Sequence, residues 1–107
     1  MAVGHLFNSR GGWIAFRKGK YVYDPDGNWI GWLPWNDDDV VDREGAYLGT
    51  IVKKKRLYRL EARPSRGYPG YPGHPGHAGY PGYPGHAGGD LPPFGAEDVN
   101  LDEIPGS

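Results

Sequence analysis

The side chains able to do chemistry in this sequence fall into two runs. The longer is a row of rings: Tyr68, Tyr71, His74, His77, Tyr80, Tyr83 and His86 recur every third residue, each directly after a Gly. Such a row is an adhesive surface, suited to stacking on the domain's own Trp residues, on another protein chain or on bases. Nucleic acid is disfavoured as its partner, because phosphate neutralisation supplies most such affinity and no Lys or Arg follows Arg66. The three His could offer neutral imidazoles to a transition metal. Nothing in their spacing fixes a coordination geometry, so neither a metal nor any other cofactor is expected.

The second run is Lys53, Lys54, Lys55 and Arg56, the main basic cluster, with Arg59 close behind. A solvated turn explains it, and so does contact with an anionic surface such as lipid headgroups or nucleic acid. The stretch Trp29-Ile-Gly-Trp32-Leu-Pro-Trp35 holds more indole than one short strand can bury on one face. Strict alternation therefore leaves Trp32 or Trp35 for the surface, where either could join the lysines on a membrane interface or pack beneath the tail. The acids Asp37, Asp38 and Asp39 lack the spacing of a calcium loop and read as a surface turn. With no Cys, few hydroxyls and His5 in no recognisable motif, no catalytic constellation emerges, and the chain is expected not to be an enzyme.

Positioning these side chains falls to two unlike halves. Gly and Pro number 10 in residues 1–63 but 20 in residues 64–107. Residues 1–66 hold all 12 Lys and Arg against 8 acids, whereas residues 67–107 hold 5 acids and no base. A tail that docks on its own domain is one consequence of this polarity; a solvated acidic end is the other. The divisions expected are a β-hairpin domain at 1–63, a Gly-Tyr/His-Pro/Ala triplet segment at 64–89 and an acidic tail at 90–107. No apolar stretch has the length of a signal peptide or a membrane span, which suggests a cytoplasmic protein.

The first half contains a repeat. Leu6 to Phe16, Val22 to Trp32 and Val40 to Thr50 share two apolar residues, Asn or Asp, two variable residues, Gly, a spacer, an aromatic, Ile or Leu, then Ala or Gly. Asn8, Asp24 and Asp42 can open turns through their short side chains, and Gly11, Gly27 and Gly45 accept a positive φ. Each unit is thus a β-hairpin. Ala15, Gly31 and Gly49, small at one phase, imply either close backbone approach near a common axis or bulges. Alternation places Trp13, Trp29 and Tyr47 on the face of these small residues, with Ile14, Ile30 and Leu48 opposite. A fourth unit begins at Leu57-Tyr58 without the turn residues.

These units, with the truncated fourth and the triplet tail running toward Leu91-Pro-Pro-Phe-Gly-Ala-Glu-Asp-Val99, resemble the bacterial four-fold β-flower domain family. The resemblance implies an all-β fold in which short hairpins form a shallow, flower-like pseudo-four-fold barrel. It implies no specific activity.

For the tail three readings stand. Gly at every third place permits a collagen-like trimer; a polyproline II segment would align all seven rings along one edge; and such a Gly/Pro content also suits disorder. A rod of residues 67–88 would reach roughly 68 Å, so a docked tail must fold back, with Ala78-Gly79 as the natural hinge. Function reduces to three expectations: an interaction or structural module that self-packs or assembles with itself or another protein through the tail, a lipid-surface module using Trp32, Trp35, Lys53, Lys54, Lys55 and Arg56, or collagen-like trimerisation through the tail.

Overall fold

The computed structural model describes residues 3–35, 37–60, 69–89, 91–92 and 95–99. Its elements are strands β1 (Gly4–Phe7), β2 (Trp13–Lys18), β3 (Tyr21–Tyr23), β4 (Trp29–Trp32), β5 (Asp39–Asp42), β6 (Tyr47–Val52), β7 (Arg56–Leu60) and β8 (Ala96–Asp98). All lie in one sheet in chain order, antiparallel neighbour to neighbour, and a parallel pairing of Phe7 with Arg56 closes β1 on β7. Among the described residues there is no helix, so none is long and apolar enough to cross a membrane. The fold is therefore all-β, as the repeat predicts.

Three tips share one hydrogen-bond pattern. The amides of Asn8, Asp24 and Asp42 donate to the carbonyls of Gly12, Asn28 and Ala46 at 2.8–2.9 Å, and those of Gly11, Gly27 and Gly45 donate back at 3.0–3.1 Å. Each Asx Oδ1 also accepts two amides, two and four residues on, at 2.9–3.0 Å. The three Gly have φ of +86°, +90° and +93°, a region that L side chains resist.

Each hairpin also contains one irregularity at one phase. Leu6 pairs with Ala15 and Phe7 with Trp13; Val22 pairs with Gly31 and Tyr23 with Trp29; Val40 pairs with Gly49 and Val41 with Tyr47. Ile14, Ile30 and Leu48 are thus the extra residues of three β-bulges, and a bulge breaks strict alternation. This corrects the expected faces. Ala15, Ile30 and Leu48 lie together in the barrel interior with Leu6, Val22, Val40, Ile51 and Leu57, and Ile14 packs against them. Trp29 lies instead in an outer layer with Phe16, Tyr23, Trp32 and Val41, to which Trp13 adds.

The small residues follow from the same geometry. A Cβ on Gly31 would fall on the Val41 carbonyl oxygen, and one on Gly49 would lie 2.9 Å from that of Tyr58. Close backbone approach and a bulge thus occur together, and the approach is to the adjoining strand.

The fourth unit is completed from far along the chain. β8 pairs with β7 through Tyr58↔Asp98, Arg59↔Glu97 and Leu60↔Ala96. Aligning Leu57-Tyr58 with Leu6-Phe7 puts Asp98 at the place of Trp13, and Val99 at that of Ile14. Val99 does pack against the interior, as Ile14 does. Part of the expected acidic tail is therefore a petal strand, and residues 61–95 are the connection within the fourth hairpin. Asp98 clasps the first tip: its two carboxylate oxygens accept the Ser9 amide and the Ser9 hydroxyl, both at 2.7 Å.

Gly31→Ala is expected to lower stability by about 1–3 kcal/mol through overpacking. Gly4→Ala, whose Cβ meets nothing nearer than 3.8 Å, should leave the urea midpoint close to that of the parent. Equal midpoints for the two variants would contradict the close approach.

Candidate functional site

The tail crosses the hairpin tips in a fixed register. The Ala78 amide donates to the Gly27 carbonyl at 2.8 Å, and the Ala87 amide donates to that of Gly11 at 3.0 Å. A Cβ on Gly11 would lie 2.5 and 2.6 Å from the O and N of Gly88, and Gly27 meets the Gly79 backbone in the same way. These two turn glycines thus serve twice, once for φ and once as notches for the tail. Ala78-Gly79 is consequently an anchor. The hinge expected there does not occur, because residues 69–89 run without a turn or sharp bend.

Above each notch a Trp carries two tail rings. The indole N–H groups of Trp13 and Trp29 donate to the carbonyls of Ala15 and Gly31, both at 2.7 Å, which fixes the rings on the outer layer. Tyr71 and His74 lie 5.7 and 4.9 Å from Trp29; Tyr80 and Tyr83 lie 5.8 and 6.0 Å from Trp13. These centroid distances and the tilted or edge-on angles suit aromatic contacts worth about 0.5–1.5 kcal/mol each. The Arg43 guanidinium sits 5.1 Å from the Trp29 ring. Between the two petals every partner advances by nine residues: Tyr71 to Tyr80, His74 to Tyr83, Ala78 to Ala87.

This register explains the composition of the tail. Positions 69, 72, 75, 81 and 84 are Pro, whereas 78 and 87 are Ala. Pro has no N–H, and Ala stands where an N–H must reach a tip carbonyl. The Gly amides that follow the imidazoles have their own acceptors: His74, His77 and His86 take the N–H of Gly76, Gly79 and Gly88 on Nδ1 at 2.9–3.1 Å. Gly70 to Gly88 all have φ between +79° and +94°. The three-residue period is thus kept, but every third residue departs from the uniform negative φ of polyproline II and of collagen strands.

The remaining candidates are dispersed. Tyr68 lies outside the described residues. Tyr71, Tyr80 and Tyr83 are 56%, 61% and 63% exposed although they touch Trp rings, and among the described residues the only other large exposed hydrophobic is Leu91. The histidines sit apart along the tail, and among the described residues no group of three His or acids could hold a metal. Trp32 is buried, with Lys20 Nζ 6.0 Å from its ring, and Trp35 is half-buried against the outer layer. Lys53, Lys54 and Lys55 are exposed. Arg56 is only 2% exposed and donates to the Asn8 carbonyl at 2.7 Å, so it locks β7 to the first tip. The six residues therefore do not share one open patch. Sequence reasoning missed Ala78, Ala87 and Asp98; the signal for the first two was Ala replacing Pro at a nine-residue interval.

Ala78→Pro is expected to destabilise the fold by about 1–3 kcal/mol, since the buried Gly27 carbonyl loses its donor. Pro75→Ala removes no hydrogen bond and should cost about 0.4–1 kcal/mol through the unfolded chain alone. Chemical denaturation of both variants checks this, and a Pro75→Ala loss as large as that of Ala78→Pro would refute the anchor.

No curated protein and no solved structure matches the chain. A family model described as 4-fold beta flower protein matches residues 2–90, running from the first petal through the triplet segment. With the hairpins in phase, the barrel closed and most of its length matched, the chain belongs to the four-fold β-flower family.

Proposed function

We propose that this protein is a non-enzymatic interaction and structural module, in which the β-flower is a scaffold and the tail is laid over it as an aromatic belt for assembly. The observation that carries the proposal is the pairing of a tail fixed by backbone hydrogen bonds with Tyr rings that stay more than half exposed. A tilted or edge-on contact with Trp13 or Trp29 orders the Tyr without hiding it. Rings held this way lose little further freedom on binding, which favours affinity. Tyr is also among the residues enriched where proteins meet.

A second copy is the partner this surface suits best. The belt is uncharged along Tyr71, Tyr80 and Tyr83, so two belts can meet face to face without repulsion, and a two-fold contact needs only one self-complementary patch. Light scattering is expected to show the full chain self-associating as concentration rises. The variant Tyr71→Ser/Tyr80→Ser/Tyr83→Ser should remain monomeric while keeping a folded barrel. Equal masses for the two proteins at every concentration would refute assembly through the belt.

A further inference from the structure

The rim formed by the hairpin ends away from the Asx turns carries a cavity of about 460 Å³. Its wall takes residues from the start of β1 (Val3, Gly4), the β2–β3 turn (Gly19), the β4–β5 connection (Asp38) and the β6–β7 turn (Lys54). Every connection of that rim thus contributes, which places the opening at the mouth of the barrel. Leu6 and Ile51 close its base but are only 1% and 4% exposed, the half-buried Val3 adds an apolar wall, and Arg17 and Lys54 give it two cations. The size is that of a small-ligand site, with an apolar floor and few polar groups.

One hydrogen bond places the first cation, and the backbone marks the second as a Lys kept where its φ is strained. The Arg17 Nε donates to the Gly19 carbonyl at 2.8 Å, which holds its guanidinium at the turn bordering the cavity. Lys53 and Lys54 have φ of +56° and +66°, values at which Gly or Asn would be relaxed. Strain of this kind gathers at ligand sites. Lys18 and Lys55 flank the same two turns and are exposed, while Asp38 is the acid in the wall.

We infer that this mouth binds a phosphate monoester with a small apolar body, the phosphate meeting Arg17 and Lys54 and the body resting against Val3 above the closed base. A guanidinium and an ammonium on one rim match phosphate oxygens, the first in bidentate fashion. The ester could be a soluble metabolite or a lipid headgroup. The inference is independent of the belt, none of whose described residues lines the cavity.

The test is a titration of the isotope-labelled full chain with phenyl phosphate, followed by amide resonances, beside flotation with phosphatidylcholine vesicles with and without phosphatidic acid. Saturable shifts at Gly4, Gly19 and Lys54 with phenyl phosphate support a soluble ester. Flotation that requires phosphatidic acid, without a phenyl phosphate response, supports the same chemistry on a membrane. In either arm Lys54→Gly should weaken binding by roughly tenfold or more. The same substitution should leave the thermal midpoint equal or higher, because the strained φ is relieved. Gly4→Val, which fills the mouth and leaves the charges in place, should also abolish the response. No response to either probe, or one unchanged by both substitutions, overturns the inference.

Discussion

The strand β7 pairs with β6 across the β6–β7 turn, but its other edge has no partner next to it in sequence. An unpaired strand edge exposes a row of amides and carbonyls and invites pairing with another chain. Here β8 fills the place, setting Ala96 opposite Leu60. Residues 61–95 must therefore depart from and return to one spot. That connection takes 35 residues, in a molecule whose largest extent is 35 Å. Its described part passes the second tip and then the first, the order of a circuit back around the petals. Lengthening such a loop adds little closure cost, about 0.6 kcal/mol per doubling, so a few good anchors suffice to hold it.

Those anchors divide the work among residue types. Pro pre-sets φ and removes donors along most of the belt; Ala restores a donor at 78 and 87; His supplies Nδ1 to the following Gly amides. Gly11 and Gly27 leave room for a second backbone to lie against the tips. Tip, belt and bulge thus come together on the first two petals, and the Trp rings sit where all three meet. The small size of the barrel makes this covering consequential, because a domain of about 60 residues buries a modest fraction of its surface alone.

The hairpins were legible in the sequence because their causes are local. Asn8, Asp24 and Asp42 bond within four residues of themselves, and Gly11, Gly27 and Gly45 answer to φ. The faces were not legible, since one extra residue at Ile14, Ile30 or Leu48 reverses every later side chain in an alternation argument. Nor was β8: Ala96, Glu97 and Asp98 have weak strand preference, and only the edge of β7 makes a strand of them. The aromatic period of the tail was visible, but the reason for Ala78 and Ala87 was not, because it resides in carbonyls of tips some 51 and 76 residues earlier. Trp32 and Arg56 were candidates for an exposed surface; packing against the outer layer and closure on the Asn8 carbonyl removed both from it.

The most direct test of a belt held in register is amide hydrogen exchange on the intact protein. The account predicts that the Ala78 and Ala87 amides exchange nearly as slowly as those of the barrel strands, whereas the exposed Gly73 amide exchanges orders of magnitude faster. Fast exchange at Ala78 and Ala87 while the barrel amides stay protected would contradict it.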